Sequence, residues 1–421
     1  MWRKMLTRPT TSLPSVLLLG LICSTPTLVG PRQSQAQCEY AVTVIRPAEC
    51  PFFGPPPTFG NGINELGDVA GAHWQCGNSW TDDTAFLWTA EIGMTTLSMP
   101  TGTSESSALD VNDAGQVVGW FNIPGDGFSI LAFLAERSQL TVIYPPAGTY
   151  SQACAISNDG LVAGATGDGT PYFKGFVWQD DVMTLILPTF GPRSLVHDLN
   201  EIGQAVGWMG TSATIDSHAF LWEEGVMTDL GLVPGGSTGL GRAINNLGHV
   251  LVTGKVEGKS GTLTHSFLWI DGEFSDLGVL PGYDHTFGRA INDFDQVVGI
   301  CRQAVSPYDE TAFIWQDGVM TELNELVADE AIDIFAADAI NNAGQIATSG
   351  GQDMDGAALL LTPLQSCPGD LDCDGFVGIT DFLNLLVAWG SHPAHPADLD
   401  GDGTVGIQDF LMLLANWGSC P

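Results

Sequence analysis

A four-residue phrase, Asn-x-x-Gly, set directly after Ile, Val or Leu, limits what this chain can fold into more than any other feature. Its seven copies begin at Asn64, Asn112, Ser157, Asn200, Asn245, Asn292 and Asn341, at spacings of 48, 45, 43, 45, 47 and 49 residues. An Asn opening and a Gly closing a tight turn is the type I preference; Ser157 keeps an acceptor, and Asp295, in the place of one Gly, tolerates the left-handed region. Between hinges lies a second run in register: Ala85–Trp88, Ala132–Leu134, Gly175–Trp178, Ala219–Trp222, Ser266–Trp269, Ala312–Trp315 and Ala357–Leu360. In the stretch Ser217–Gly254 four short apolar runs alternate with Gly, Asn and Asp, which is a strand pattern rather than a helical one.

A 40–50-residue period with four strands per unit is that of a propeller blade. First, second and third strands number seven, whereas fourth strands such as Met227–Leu230 and Met320–Leu323 number six. The missing one stands at the other end of the repeats, where Ala41–Ile45 resembles Leu140–Tyr144. The expectation is an all-β, seven-bladed β-propeller of four-stranded blades over residues 37–365, closed by an N-terminal strand so that no interior edge is left open.

The phrases His218-Ala-Phe-Leu-Trp222 and Gly225-Val-Met-Thr-Asp-Leu230, with the Ile-Asn-x-x-Gly hinges, resemble the HAF family of predicted extracellular repeats. The resemblance covers roughly residues 40–362 and implies export and repetition, with little about activity.

The C-terminal stretch, 366–421, follows another pattern. Asp370, Asp372, Asp374 and Asp381 stand at positions 1, 3, 5 and 12 of a loop, with Gly375 at position 6 and Phe376 placed to offer its carbonyl at position 7. Asp398, Asp400, Asp402, Thr404 and Asp409 repeat the set 28 residues later. Calcium takes six to eight oxygens, and this spacing wraps them around one ion, so two calcium ions are expected. Each loop runs into Phe-Leu-x-Leu-Leu-x-x-Trp-Gly (382–390 and 410–418), an apolar helix ended by glycine, giving a small α calcium-binding domain of EF-hand-like loops. Phe382, Leu386 and Trp389 are expected to pack on Phe410, Leu414 and Trp417.

Paired loop-then-helix segments of this kind resemble the type I dockerin domain, which implies a cohesin-like protein as partner for residues 367–421. The chain departs from that family at loop positions 10 and 11, which hold Ile379/Thr380 and Ile407/Gln408, and neither helix carries Lys or Arg.

The first 36 residues read as a secretory signal peptide: Arg3, Lys4 and Arg8, an apolar run Val16–Cys23 too short to span a bilayer, and small residues ending at Ala36. No later stretch is a candidate membrane span, so a secreted or cell-surface protein is expected. Four of the 13 Lys+Arg lie in that segment, leaving nine against 48 Asp+Glu. Such a balance repels nucleic acid and anionic lipid and suits calcium or cationic partners. The eight cysteines beyond Cys23 permit disulfides in an exported chain; Cys367 and Cys420 flank the tail and are the favoured pair.

In up-and-down blades the tight turns share one face and the variable connections the other, and function on a rigid scaffold gathers on such loops. Trp74, Trp80, Trp120, Trp208, Tyr283 and Tyr308 are the aromatic candidates there for a glycan or peptide. The repeated Trp88, Trp178, Trp222, Trp269 and Trp315 read as packing between blades, and His218 and His265 as structural. No His-Glu-x-x-His occurs, and no pair of carboxylates is singled out. The leading expectation is a non-enzymatic binding or scaffold protein with no catalytic residues assigned; the rival is a secreted carbohydrate-active enzyme carrying a dockerin.

Overall fold

The computed structural model describes residues 40–47, 56–74, 83–125, 130–137, 139–167, 172–213, 215–258, 261–304, 309–327, 332–351, 356–364, 369, 371, 376–391, 397–400 and 404–419. The leader reading for 1–36 lies outside them. Seven four-stranded antiparallel sheets follow one another along the chain. Their innermost strands are Thr58–Ile63, Glu105–Val111, Ser151–Ile156, Arg193–Leu199, Leu240–Ile244, His285–Ile291 and Asp333–Ile340. Each meets the innermost strand of the next blade, and the seventh meets the first. The seventh sheet has three strands from the end of the repeats, and its outer strand is Tyr40–Ile45, running from Tyr40 opposite Pro363 to Ile45 opposite Ala358. The seven-bladed ring is therefore closed by the strand that the count of repeats leaves over.

Seven apolar clusters, one at each junction, draw on two neighbouring blades apiece. The Phe of the Phe-x-Trp run goes deepest: Phe86, Phe133, Phe176, Phe220 and Phe313 are fully buried, while the five repeated Trp rings pack at the cluster margins or inside. No blade can bury its faces alone, so stability is shared around the ring.

The hinges do more than turn the chain. Gly67, Gly115, Gly160, Gly203, Gly248, Asp295 and Gly344 all have positive φ, which is why Gly or Asp closes every copy. The opening Asn is buried and bonded in two directions. Asn64 Oδ1 accepts from the backbone N–H groups of Leu66 and Asp68, and its Nδ2 donates to the carbonyl of Asn112, one blade on, at 3.1 Å. Asn112, Asn200, Asn245, Asn292 and Asn341 donate in the same way, the last to the carbonyl of Asn64. Ser157 is too short for this reach, and its hydroxyl bonds Asp159 instead. Ser157→Asn should therefore add the missing link and stabilise the ring by about 1 kcal/mol, the net worth of a buried hydrogen bond. Denaturant titration that finds the variant no more stable would show that the side chain cannot be seated there.

A second circuit uses the residue after each Asn. The backbone N–H of Glu65 donates to Asp113, Asp113 to Asn158, Asn158 to Glu201, Glu201 to Asn246, Asn246 to Asp293, Asp293 to Asn342, and Asn342 to Glu65. This places four carboxylates and three carboxamides around one mouth of the ring.

Strand lengths correct two loop assignments. The sequence pattern places variable loops at residues 208–217 and 255–264, between the second and third strands of two successive blades, but these residues form hairpin arms: the strands run Ala205–Ser212 and Ile215–Glu223, then Val250–Gly258 and Gly261–Ile270. In the second hairpin Val256 faces Leu263 and Thr262 and Thr264 face Glu257 and Lys255, residue types that favour strands, while the first continues through Gly210 opposite Ser217 and Ser212 opposite Ile215.

In the tail, α1 (Ile379–Val387) and α2 (Ile407–Ala415) follow the two loops. Phe376–Val377 pairs with Gly418–Ser419, and Gly390–Ser391 with Thr404–Val405, so each loop is tied to the segment after the other helix. Phe382 and Phe410 meet with ring centroids 5.3 Å apart. The rest of the expected packing is corrected. Leu385, Ala388 and Leu413 are buried with Leu371, Val377, Ala397 and Val405, whereas Leu386, Trp389, Leu414 and Trp417 are each more than 40 % exposed. The inward face follows the i, i+3 row Phe382–Leu385–Ala388, and Trp389 and Trp417 lie past the helix ends with their rings largely exposed. Among the described residues no helix is long and apolar enough to cross a membrane.

Candidate functional site

The innermost strand of each blade breaks register three residues before its hinge, and the seventh breaks a second time at Phe335. The skipped residues are Asn61, Leu109, Cys154, His197, Arg242, Arg289 and Asp338. A bulge re-aims one side chain, and here it does so seven times: all seven line the central channel, a cavity of about 250 Å³. The bulge also explains a glycine of the second strand. A Cβ on Gly207 would lie 1.8 Å from the Leu195 carbonyl oxygen, and one on Gly299 would lie 2.1 Å from that of Phe287. Sequence reasoning missed this ring. Its signal was available, because the position three residues before each hinge varies through Asn, Leu, Cys, His, Arg, Arg and Asp while its neighbours are small or apolar except for Asp110 and Asp198.

Beside the bulges lie Asp110 and Asp198. Asp110 accepts from the N–H groups of Val111 and Ile156, and Asp198 from those of Leu199 and Ile244, so each carboxylate ties two blades. Burial inside the ring pushes Asp110 up to about 8, with the Asp198 charge adding to the rise, and pushes Asp198 up to about 7. Both keep part of their surface open to the lumen, whose water softens the push without reversing it. Burial likewise moves the Cys154 thiol up to about 12, and burial with the nearby Arg242 charge lowers His197 to about 4. His197 is thus neutral, with Nδ1 donating to the Gly241 carbonyl at 2.7 Å.

The sign of the pH effect follows. An acid whose folded pKa lies above its unfolded value contributes stability below the unfolded value and loses it as pH rises through the folded one. Asp198→Asn lacks that contribution at every pH. The melting temperature of the wild type minus that of the variant should therefore fall between about pH 4 and pH 7; a flat difference would show Asp198 ionised throughout.

A second cavity of about 420 Å³ opens off the channel wall between blades 5 and 6, lined by His197, Arg242, Thr253, Phe287, Gly288, Arg289, Ile300 and Arg302. Arg289 is ion-paired to Asp338, and Arg302 Nε donates to Glu310 at 2.5 Å while its guanidinium lies 5.2 Å from the Phe287 ring centre. Arg242 has no hydrogen bond or ion pair among the described residues. The acidic mouth and this basic wall give the channel opposite poles.

The aromatic candidates are dispersed. Trp74 ends a second strand opposite Asp83, Trp120 is half-buried between Ser107 and Ala132, and Tyr283 packs on the cluster between blades 5 and 6. Trp208 is 5 % exposed, so little of its ring reaches solvent. Trp80 and Tyr308 lie outside the described residues. His218 and His265 hold Asp229 and Asp276 at 2.9 and 3.0 Å, and those carboxylates also accept from Gly231 and Gly278, bracing the outer strand. A Gly-x-Ser-x-Gly spacing at Gly235–Gly239, overlooked in the sequence, sits in the loop before Leu240; its Ser237 N–H bonds the Lys255 carbonyl, and a strand follows rather than the helix of a nucleophile elbow.

In the tail, Asp398, Asp400 and Asp409 bring one oxygen each within 4.8 Å of one another. Calcium–oxygen distances of about 2.3–2.6 Å put ligands on opposite sides of one ion about 5 Å apart, so these hard donors fit that cation. Asp409 is also structural: its oxygens accept from Leu399, Asp400 and Gly406, as those of Asp381 accept from Leu371 and Gly378. Position 12 thus caps its helix and closes its loop in both copies, and Asp409 also faces Asp398 and Asp400. Thr404 is in place on its short strand, as is the backbone of Phe376, while Asp370, Asp372, Asp374 and Asp402 lie outside the described residues. Cys154 and Cys301 are free, and the favoured pair Cys367 and Cys420 also lies outside.

No family model matches this chain, and no curated protein matches it. Solved structures do. An oligogalacturonate lyase of Vibrio parahaemolyticus is 10 % identical over 77 % of this chain and 97 % of its own, with a TM-score of 0.48. Virginiamycin B lyase of Staphylococcus aureus is 11 % identical over 77 % and 99 %, with a TM-score of 0.44. The β-propeller domain of the Trilobed protease of Pyrococcus furiosus is 11 % identical over 72 % and 93 %, with a TM-score of 0.46. At such identities nothing passes to this chain beyond the architecture, and its blade count rests on its own strand pairing.

Proposed function

We propose that this chain is an exported, non-enzymatic binding protein: the propeller presents the ligand surface, and the calcium-stabilised tail attaches it to a partner. The observation that carries the first half is how the channel's carboxylates are used. Asp110, Asp198 and all four carboxylates of the hinge mouth accept backbone N–H groups of a neighbouring blade. Groups held this way position blades, and moving a proton on and off them would loosen the ring. The second half is supported by the convergence of Asp398, Asp400 and Asp409 within a repeated loop pattern. Attachment has a surface to use: Ile379, Leu383 and Leu386 on α1, and Ile407, Leu411 and Leu414 on α2, are exposed in matching positions. A cohesin-like module is the partner implied by the dockerin resemblance, and with no Lys or Arg on either helix its contact would be mainly apolar.

A glycan and peptide array probed with the purified protein, with calcium and with chelator, tests both halves. Ligand capture by the propeller should survive chelation, whereas capture of a cohesin-like module should be lost. Polysaccharide turnover abolished by Asp110→Asn or Asp198→Asn would overturn the binding reading in favour of a carbohydrate-active enzyme.

A further inference from the structure

We propose that the wall between blades 5 and 6 binds a small ligand through an oxyanion group, carboxylate or tetrahedral, with Arg242 as its principal contact and Arg289 and Arg302 beside it. The inference rests on the reading of the propeller as a non-enzymatic binding module.

The first argument is placement. Only nine Lys and Arg follow residue 36, and three of them line one cavity of eight residues in a protein of strongly negative charge. The repeat does not demand this, since the equivalent bulge positions of other blades hold Asn61, Leu109 and Cys154. The second argument is pairing. Asp338 and Glu310 engage Arg289 and Arg302 from one side and fix their orientation, leaving further N–H donors on each. Arg242, half-buried, has no acidic partner among the described residues, and its charged neighbour is Arg289, a like charge. A guanidinium withdrawn from water without a counter-ion is costly, and a fork of donors matched to a bidentate oxyanion is what would offset it.

The third argument is shape and field. About 420 Å³ lies within the range of small-molecule sites. Arg302 ends its strand on the side of the variable connections, away from the hinge-mouth carboxylates Glu65, Asp113, Glu201 and Asp293. An anion entering from that side meets the basic pole first and is repelled from passing through. Neutral His197, its Nδ1 engaged by Gly241, offers Nε2 as an acceptor for a ligand hydroxyl.

Calorimetric titration of the purified protein at low ionic strength, with malonate in one arm and sulfate in the other, tests the site. Saturable binding of at least one anion is expected, and the arm that binds identifies the oxyanion geometry. Arg242→Ala should weaken it at least tenfold and leave the melting temperature unchanged or raised. Arg137→Ala, which removes an exposed charge on a turn, should bind as the wild type does. Should Arg242→Ala fail to fold, Arg242→Lys keeps the charge and loses the fork, and a several-fold loss is expected. No saturable binding in either arm, or equal losses from Arg242→Ala and Arg137→Ala, overturns the site. Turnover of an acidic polysaccharide with anion binding intact would instead overturn the non-enzymatic reading alone, and array hits without anion binding would leave that reading standing and remove this one.

Discussion

Deleting residues 37–46 lowers the melting temperature of the propeller by about 10 °C or more, because it removes the strand that closes the ring. Tyr40–Ile45 pairs with Ala357–Pro363 along its whole length, and Ile45 is fully buried against Val69, Phe86 and Ala358 at the junction of blades 7 and 1. Tyr40 reaches the other way, its N–H donating to the Leu326 carbonyl and its ring packing on the cluster between blades 6 and 7. Burial of one Ile side chain is worth about 2–3 kcal/mol, and each ladder hydrogen bond about 1 kcal/mol net. The sum, on the order of 5 kcal/mol, is a large share of the stability of an ordinary domain. The deletion also leaves Ala357–Pro363 as an unpaired edge of apolar residues, so the truncated protein should self-associate. Supplying residues 37–46 as a peptide should restore part of the loss, which separates loss of closure from general damage. An unchanged melting temperature would mean that the ring holds without its seventh outer strand.

Blade number, strand count and the closing strand were legible because each is a repeated local pattern. The hinge shows why some of the rest was not. Asn-x-x-Gly announces a turn, and the turn is there, but the same Asn also donates to the next blade, a contact between residues 45 to 49 apart along the repeats that no local pattern encodes. The bulge residues were hidden for a related reason. A bulge shifts the alternation by a single residue, too small a change to stand out in strands of five to eight residues, so the sequence pattern did not single out Arg242 and Arg289 before the strand pairing placed them at the channel. In the tail the ligand spacing was plain, whereas the inward face of a nine-residue helix hung on a choice between Leu385 and Leu386 that apolar composition cannot make.

Chelating calcium should abolish the helical signal of the tail while leaving the main propeller transition in place. Asp398, Asp400 and Asp409 gather their oxygens within 4.8 Å, where two like charges at an effective dielectric of 20 repel by about 3–4 kcal/mol. Protonation gives no relief at neutral pH. Burial raises the Asp409 pKa, but the N–H donors of Gly406, Asp400 and Leu399 outweigh it and hold the carboxyl below its usual range. The apolar side is small: among the described residues it has seven buried ones and two helices of nine residues, each shorter than the ~12–15 at which isolated helices become marginal in water. An ion present at 100 times its Kd adds about 2.7 kcal/mol, so two bound ions would decide whether the tail folds. Scanning calorimetry of the whole protein should show a smaller transition that climbs with calcium concentration and vanishes in chelator, beside a larger one that does neither. Asp398→Ala with Asp400→Ala should weaken calcium binding while sparing the Asp409 bonds that close the loop, so the variant folds only at much higher calcium. A tail transition that ignores both chelator and these substitutions would show that Phe382, Leu385, Phe410 and Leu413 hold the helices together unaided.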